Sequence, residues 1–234
     1  MTSDRIEPSA HLHRPLPGVL LGAVPSTAAT GWIRKSLTRF ATPVGVIVPG
    51  HFAACARIYH PFADPAAGTL IGSGLLRWHV LAARPMRGAD EALEFAMHGS
   101  PDAQAPIGTL PRVVVDIMTD HLRTFTTTPD ECFFALWEGF GDSIVSPGVI
   151  PTLELPHRRY HVFAGSIHTA RASYSNISFS HRSANLWWPA DRAWCVATEV
   201  DAAWTYVAGP ESVIETLLSD SRLDALPTTA DASW

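Results

Sequence analysis

A chain of 234 residues, 47% hydrophobic and 17% charged, can bury about 70% of its unfolded surface, so its core needs neither a metal nor a disulfide staple. Its formal charge of −5, with basic residues scattered apart from Arg158-Arg159, offers neither the basic stripe that nucleic acids demand nor the acidic block of a disordered tail. No apolar run reaches the roughly 20 residues that span a bilayer, so neither a nucleic acid nor a membrane is an expected partner.

The apolar run Val19 to Val24 is too brief, and the charges before it too balanced, for a signal peptide. Cys55, Cys132 and Cys195 each lie in an apolar run, and their odd number points to free, buried thiols in a reducing compartment. The expected location is therefore the cytoplasm. Lysine occurs once, at Lys35, a compositional bias toward arginine that leaves each arginine with less individual meaning.

Residues 1–30 hold Pro8, Pro15, Pro17 and Pro25 without sustained periodicity and read as a loosely attached arm, followed by one domain over residues 31–234. The His11-x-His13 pair in that arm has no further ligand nearby and reads as a solvated tail. Trp32, Ile33, Leu37 and Phe40 fall at helical spacing behind a possible Thr30 cap, and Pro43 ends that helix. VGVIV at 44–48 is β-branched and reads as a strand. Phe52 to His60 reads as a second, with Ala54, Ala56, Ile58 and His60 on one face and Cys55, Arg57 and Tyr59 on the other.

The stretch PFADPAAGTLIGSG at 61–74 is loop-like, and Leu75 to Arg84 suggests a short helix capped by Ser73. Its glycines lack the lysine and spacing of a phosphate-binding loop. Leu110, Val113, Val114, Ile117, Met118, Leu122 and Phe125 recur with a helical period, with Asp116, Asp120 and Arg123 opposite and His121 at the border. A strand over 132–138 would set Cys132, Phe134, Leu136 and Glu138 on one side and Phe133, Ala135 and Trp137 on the other, as in a central strand covered on both faces. Further strands are expected near 152–155 and 160–164, joined by a tight PHRR turn.

Trp194–Val200 and Trp204–Ala208 read as a hairpin with a three-residue loop, Val200 opposite Trp204. Pro210 then opens a helix that buries Val213, Ile214, Leu217 and Leu218. Trp187 and Trp188 precede Pro189 in extended backbone and point to opposite sides, one into the core and the other toward a partly exposed aromatic surface. Strands interrupted by helices without βαβ alternation predict an α+β fold, mainly antiparallel, with helices packed on the sheet.

Standard catalytic and metal signatures are missing. His157 and His161 would share a face only on a helix, which Pro156 and the β-rich residues after it oppose. What remains is a polar set at strand ends: Arg57 and His60, Glu138, and Asp191 with Arg192. The blocks VPGHFAACARIYHPF, TTTPDECFFALWEGFG and NLWWPADRAWCVATEVDAAWTYVAG together resemble a family of uncharacterised, mainly actinobacterial proteins over residues 45–230. The resemblance implies no activity or ligand, and this chain departs from the pattern at His51 and Cys55.

Two functions follow as expectations. The first is a non-catalytic binding or protein-interaction protein, of the immunity kind for example, with Arg57, Trp137, Trp187, Trp188 and Arg192 forming a surface for a protein or small molecule. The second is a small-molecule hydrolase or lyase in which His60 with Glu138 or Asp191 moves a proton and an arginine holds an anion. Neither reading calls for a cofactor or a metal.

Overall fold

In the computed structural model, the described residues are 27–37, 48–63, 75–76, 105–144, 150–177, 180–230 and 232. They form an α+β domain around an eight-stranded antiparallel sheet. The strands are β1 (Ala54–Tyr59), β4 (Cys132–Trp137), β5 (Thr152–Leu155), β6 (Arg158–Gly165), β7 (Leu186–Pro189), β8 (Cys195–Thr198), β9 (Trp204–Gly209) and β10 (Asp224–Thr228), ordered β10-β1-β9-β8-β7-β4-β6-β5. Phe62–Ala63 (β2) and Leu75–Leu76 (β3) make a separate small ladder. Leu75 thus opens no helix but pairs with Ala63 in that ladder, while residues 64–74 and 77–84 lie outside the described set. So do residues 44–47 of the expected early strand and residues 1–26 of the expected arm, and Val48 lies in a turn.

Alternation sorts the core into two layers. Ala56, Ile58, Cys132, Phe134, Leu136, Phe163, Trp187, Val196 and Val207 face the helices α2 (Arg112–Leu122) and α3 (Glu211–Ser219). Cys55, Tyr59, Ala135, Tyr160, Trp188, Cys195, Trp204 and Tyr206 line the other face, against α1 (Thr27–Ser36). β4 carries apolar side chains to both layers, as expected of an interior strand.

Helix α1 starts earlier than its apolar spacing suggests. Thr30 lies inside it rather than capping it, and residues 27–30 belong to it rather than to an arm. Along α2, Val114, Val115, Met118 and Leu122 turn inward while Val113 is 37% exposed. Three successive valines cannot share one helical stripe, and Val113 lies about 200° around the axis from Val115. Pro210 stands just before α3, its carbonyl accepting from Val213 N at 3.1 Å.

The β8–β9 hairpin pairs Thr198 with Thr205 and Ala197 with Tyr206, one residue away from the expected register. The slip comes from the loop. Val200 is buried there against the backbone of Gly108, where φ is +69° and any Cβ would overlap the Val200 carbonyl. Burying Val200 lengthens the connection and brings the two threonine hydroxyls face to face.

Among the described residues, no helix is long and apolar enough to cross a membrane.

Candidate functional site

The expected charged rim does not assemble. β4 and β7 are antiparallel, so Glu138 leaves one end of the sheet while Asp191 and Arg192 leave the other, where Ala190 N donates to Glu131 O at 2.8 Å. His60 shares the end of Glu138, but β9, β8 and β7 intervene, a separation of roughly 19 Å at normal strand spacing. Arg57 points to the opposite face from His60, as the alternation predicts, and lies 5.2 Å from the Trp204 ring and 5.3 Å from the Tyr206 ring. No proton can pass directly between His60 and either carboxylate in this arrangement.

His60 is 1% exposed, and both ring nitrogens are engaged. Nδ1 lies 2.6 Å from the Pro106 carbonyl and Nε2 2.9 Å from Thr205 Oγ1. A carbonyl can only accept, so Nδ1 carries the hydrogen; Nε2 then accepts from the Thr205 hydroxyl. Thr205 Oγ1 in turn takes the hydrogen of Thr198 Oγ1 at 2.7 Å. Burial lowers the imidazole pKa to about 4, against an opposing contribution from the Pro106 carbonyl. The ring is therefore a neutral fastener between β1, β9 and the segment around Pro106.

Asp191 is equally committed. Its carboxylate accepts from Thr127 N at 2.6 Å, Thr127 Oγ1 at 2.8 Å, Thr126 Oγ1 at 2.9 Å and Ala193 N at 3.1 Å. Partial burial alone would raise its pKa, but these hydrogen bonds outweigh that and hold it below the usual carboxylate range. Asp191→Asn removes charge-assisted acceptance and is expected to cost about 1–2 kcal/mol, read as a lower urea midpoint at pH 7. An unchanged midpoint would deny the carboxylate this capping role.

Trp187 and Trp188 do point to opposite faces, yet neither forms an exposed surface: they are 2% and 0% exposed. Trp187 packs edge-on to Trp194 at 5.4 Å, and Trp188 meets Phe133 and the α1 residue Trp32. A second layer over the sheet face, which adjacent-residue alternation cannot reveal, closes the expected gap. Arg192 stacks on Trp32 from the outside, 5.6 Å from the ring, so the Trp-Trp-Pro-Ala-Asp-Arg segment builds a structural corner.

Among the described residues, a concave feature lies instead at the β4–β6–β5 end of the sheet. Trp137, Glu138 and Gly139 form one wall, and Glu154, Leu155, His157, Arg158 and Arg159 the other, around an open groove of about 580 Å³. Its turn side is the two-residue loop Pro156-His157, with His157 at φ +60°. That geometry suits proline followed by a left-handed residue in a type II turn. The turn's strand positions put Arg158 and Arg159 on opposite faces of β6.

Arg158 bonds Glu199 at 2.8 Å and Asp201 at 2.9 Å and lies 5.4 Å from the Trp137 ring. Arg159, half exposed, lies 3.3 Å from Glu138 and 3.8 Å from Glu154. Phe140 meets the Trp137 indole edge-on at 5.1 Å. Gly139 permits the fold-back, because a Cβ there would overlap the indole.

Behind the groove, Asn185 Oδ1 accepts from Trp137 N at 2.9 Å, and its amide nitrogen donates to the carbonyls of Thr198 and Gly108. Arg182 pairs with Asp142 at 3.0 Å. Of the site residues expected from sequence, the groove unites only Trp137 and Glu138. Glu154, Leu155, His157, Arg158 and Arg159 complete it. The available signal was the expected PHRR turn, but the structure confines the turn to Pro156-His157 and puts Arg158 and Arg159 in β6, at the sheet rim.

The cysteines are free and buried. Burial pushes the Cys55 and Cys132 thiols up to about 12 and Cys195 higher still, suppressing the thiolate. Among the described residues, no group of three or more His, Cys, Asp or Glu side chains has metal-binding proximity; His157 and His161 sit on a turn and a strand. No family model matches the chain, and neither the curated proteins nor the solved structures contain a significant match.

Proposed function

We propose that the protein is a non-catalytic binding protein that engages a partner protein through the groove walled by Trp137 and Leu155. An immunity protein, which occludes its partner rather than converting it, is a role of this kind. The reading is carried by how the would-be proton-transfer groups are used: His60 has both nitrogens bonded, Asp191 is enclosed by donors, and Glu138 faces Arg159. The groove instead presents a half-buried indole beside Arg158 and Arg159, tryptophan and arginine being residue types enriched at protein contacts. A reducing, cytoplasmic setting fits the three free thiols.

The test is retention of a partner from source-cell extract by the immobilised chain. Trp137→Ala, with Leu155→Ser as an independent second variant, is expected to reduce retention at least about tenfold, the scale of a modest interface hot spot. Folded Asp191→Asn and His60→Gln should retain the partner. Unchanged retention by both groove variants, loss tracking Asp191 instead, or no retained partner would overturn the reading.

A further inference from the structure

We infer that β5 is a docking edge for an extended basic polypeptide, which joins the sheet as a ninth strand and sets a lysine or arginine beside Glu154. The inference rests on the groove reading above and names its partner's chemistry. Among the described residues, β5 is the last strand of the sheet, paired on one side only with β6. Its phase is fixed by Val162 N donating to Pro151 O at 2.9 Å. Bonded pairs recur every second residue in an antiparallel ladder, so Leu153 and Leu155 turn their backbone groups toward β6. Thr152 and Glu154 turn theirs outward, and both residues are exposed.

Edge strands are commonly protected by proline or a covering segment. The opposite edge, β10, carries Pro227 within the strand. β5 has no proline, and Pro151 just before it is in the inward phase, so it removes no outward donor. Among the described residues, two outward N–H and two outward C=O groups thus have no strand partner beside the groove, the arrangement that strand addition uses.

Charge selects the occupant. Among the described residues at this edge, Glu138 and Glu154 share the single guanidinium of Arg159, leaving one negative charge uncompensated, and Glu154 is 69% exposed; Arg158 is taken up by Glu199 and Asp201 of the β8–β9 loop. A second copy paired antiparallel about Leu153 would set this acidic rim against itself, with the two Glu154 side chains on one face roughly 7–8 Å apart. A basic strand meets the opposite condition. The residue opposite Glu154 shares its face and is basic, while the next turns toward the Leu153 face and is apolar.

The probe is a blocked peptide of about seven residues alternating lysine and valine, titrated into the isotope-labelled full chain. The Thr152 and Glu154 amide signals should shift and their hydrogen exchange should slow. Affinity should fall about tenfold with Glu154→Lys and with Glu154→Pro, which removes an outward N–H while sparing the β5–β6 bonds. Should the proline variant not fold, a peptide N-methylated on its pairing edge makes the same deletion from the other side and should bind about tenfold more weakly.

Equal binding by the N-methylated peptide or by a glutamate-for-lysine peptide overturns the inference. So does an equal loss with Glu211→Lys on α3, which would mean diffuse attraction to an acidic protein. Self-association in sedimentation that Glu154→Pro abolishes would make the occupant a second copy. The two readings fail separately: a natural partner lost with Trp137→Ala but kept by both Glu154 variants leaves the groove and removes the edge, whereas the peptide result judges the edge even if Trp137→Ala changes nothing.

Discussion

Asn185→Leu should lower the unfolding free energy by about 3–5 kcal/mol, because leucine fills the space but leaves three buried backbone groups without their side-chain partner, each costing about 1–3 kcal/mol. Those groups are the Trp137 N–H and the Thr198 and Gly108 carbonyls, held by one fully buried amide. The amide ties together the end of β4, the end of β8 and the segment before α2. Because Trp137 is also the groove wall, the same substitution should loosen the indole. Urea unfolding at pH 7 gives the first quantity, and groove-residue amide signals report the second. A loss below about 1 kcal/mol would mean that water or relaxation replaces the amide.

Acid should destabilise the fold through His60. Its native pKa is about 4, against an ordinary 6.5, so above pH 6.5 the ring is neutral in both states and its contribution is complete. As pH falls from 6.5 toward 4, the unfolded chain takes up a proton that the native site refuses, and stability is lost. Linkage puts the loss at about 2 kcal/mol between pH 7 and pH 5 and about 3 kcal/mol by pH 4.

His161 and His181 are also shifted downward, mainly by burial, and add to the wild-type slope in the same direction. The His60 ring faces the Pro106 carbonyl and the Thr205 hydroxyl, which is bonded in turn to Thr198, and none of these groups is charged. The comparison with His60→Gln isolates its part: the variant is less stable at pH 7, and its stability declines less steeply on acidification. Parallel curves for the two proteins would place the titration elsewhere. The carboxylates of Asp191 and Asp220, both shifted downward, lose their contributions at lower pH, where unfolded carboxylates begin to protonate.

The commitment of His60 also bears on function. A histidine at a strand end, followed by proline, looks in sequence like a group delivered to a ligand. Here it closes a buried chain of three hydrogen bonds, and the cost of charging it argues for keeping it neutral at physiological pH. The expected immunity-type role and the strand-addition edge both leave such a residue to stability, and both concentrate recognition at the β5 end of the sheet.

Local periodicity by itself determined the α2 and α3 helices, the two-faced alternation of β4, the opposed directions of Trp187 and Trp188, and the tight turn between β5 and β6, since each depends on neighbours within one or two turns of chain. Only the tertiary structure decided which strand ends met, because the antiparallel order sends Glu138 and Asp191 to opposite rims and puts three strands between Glu138 and His60. It also set the β8–β9 register one residue from the expected one, with the Val200 backbone lying against Gly108 in the connection. Side-chain period is a property of the segment; rim, register and the covering of Trp188 are set by distant residues, through packing that no single segment encodes.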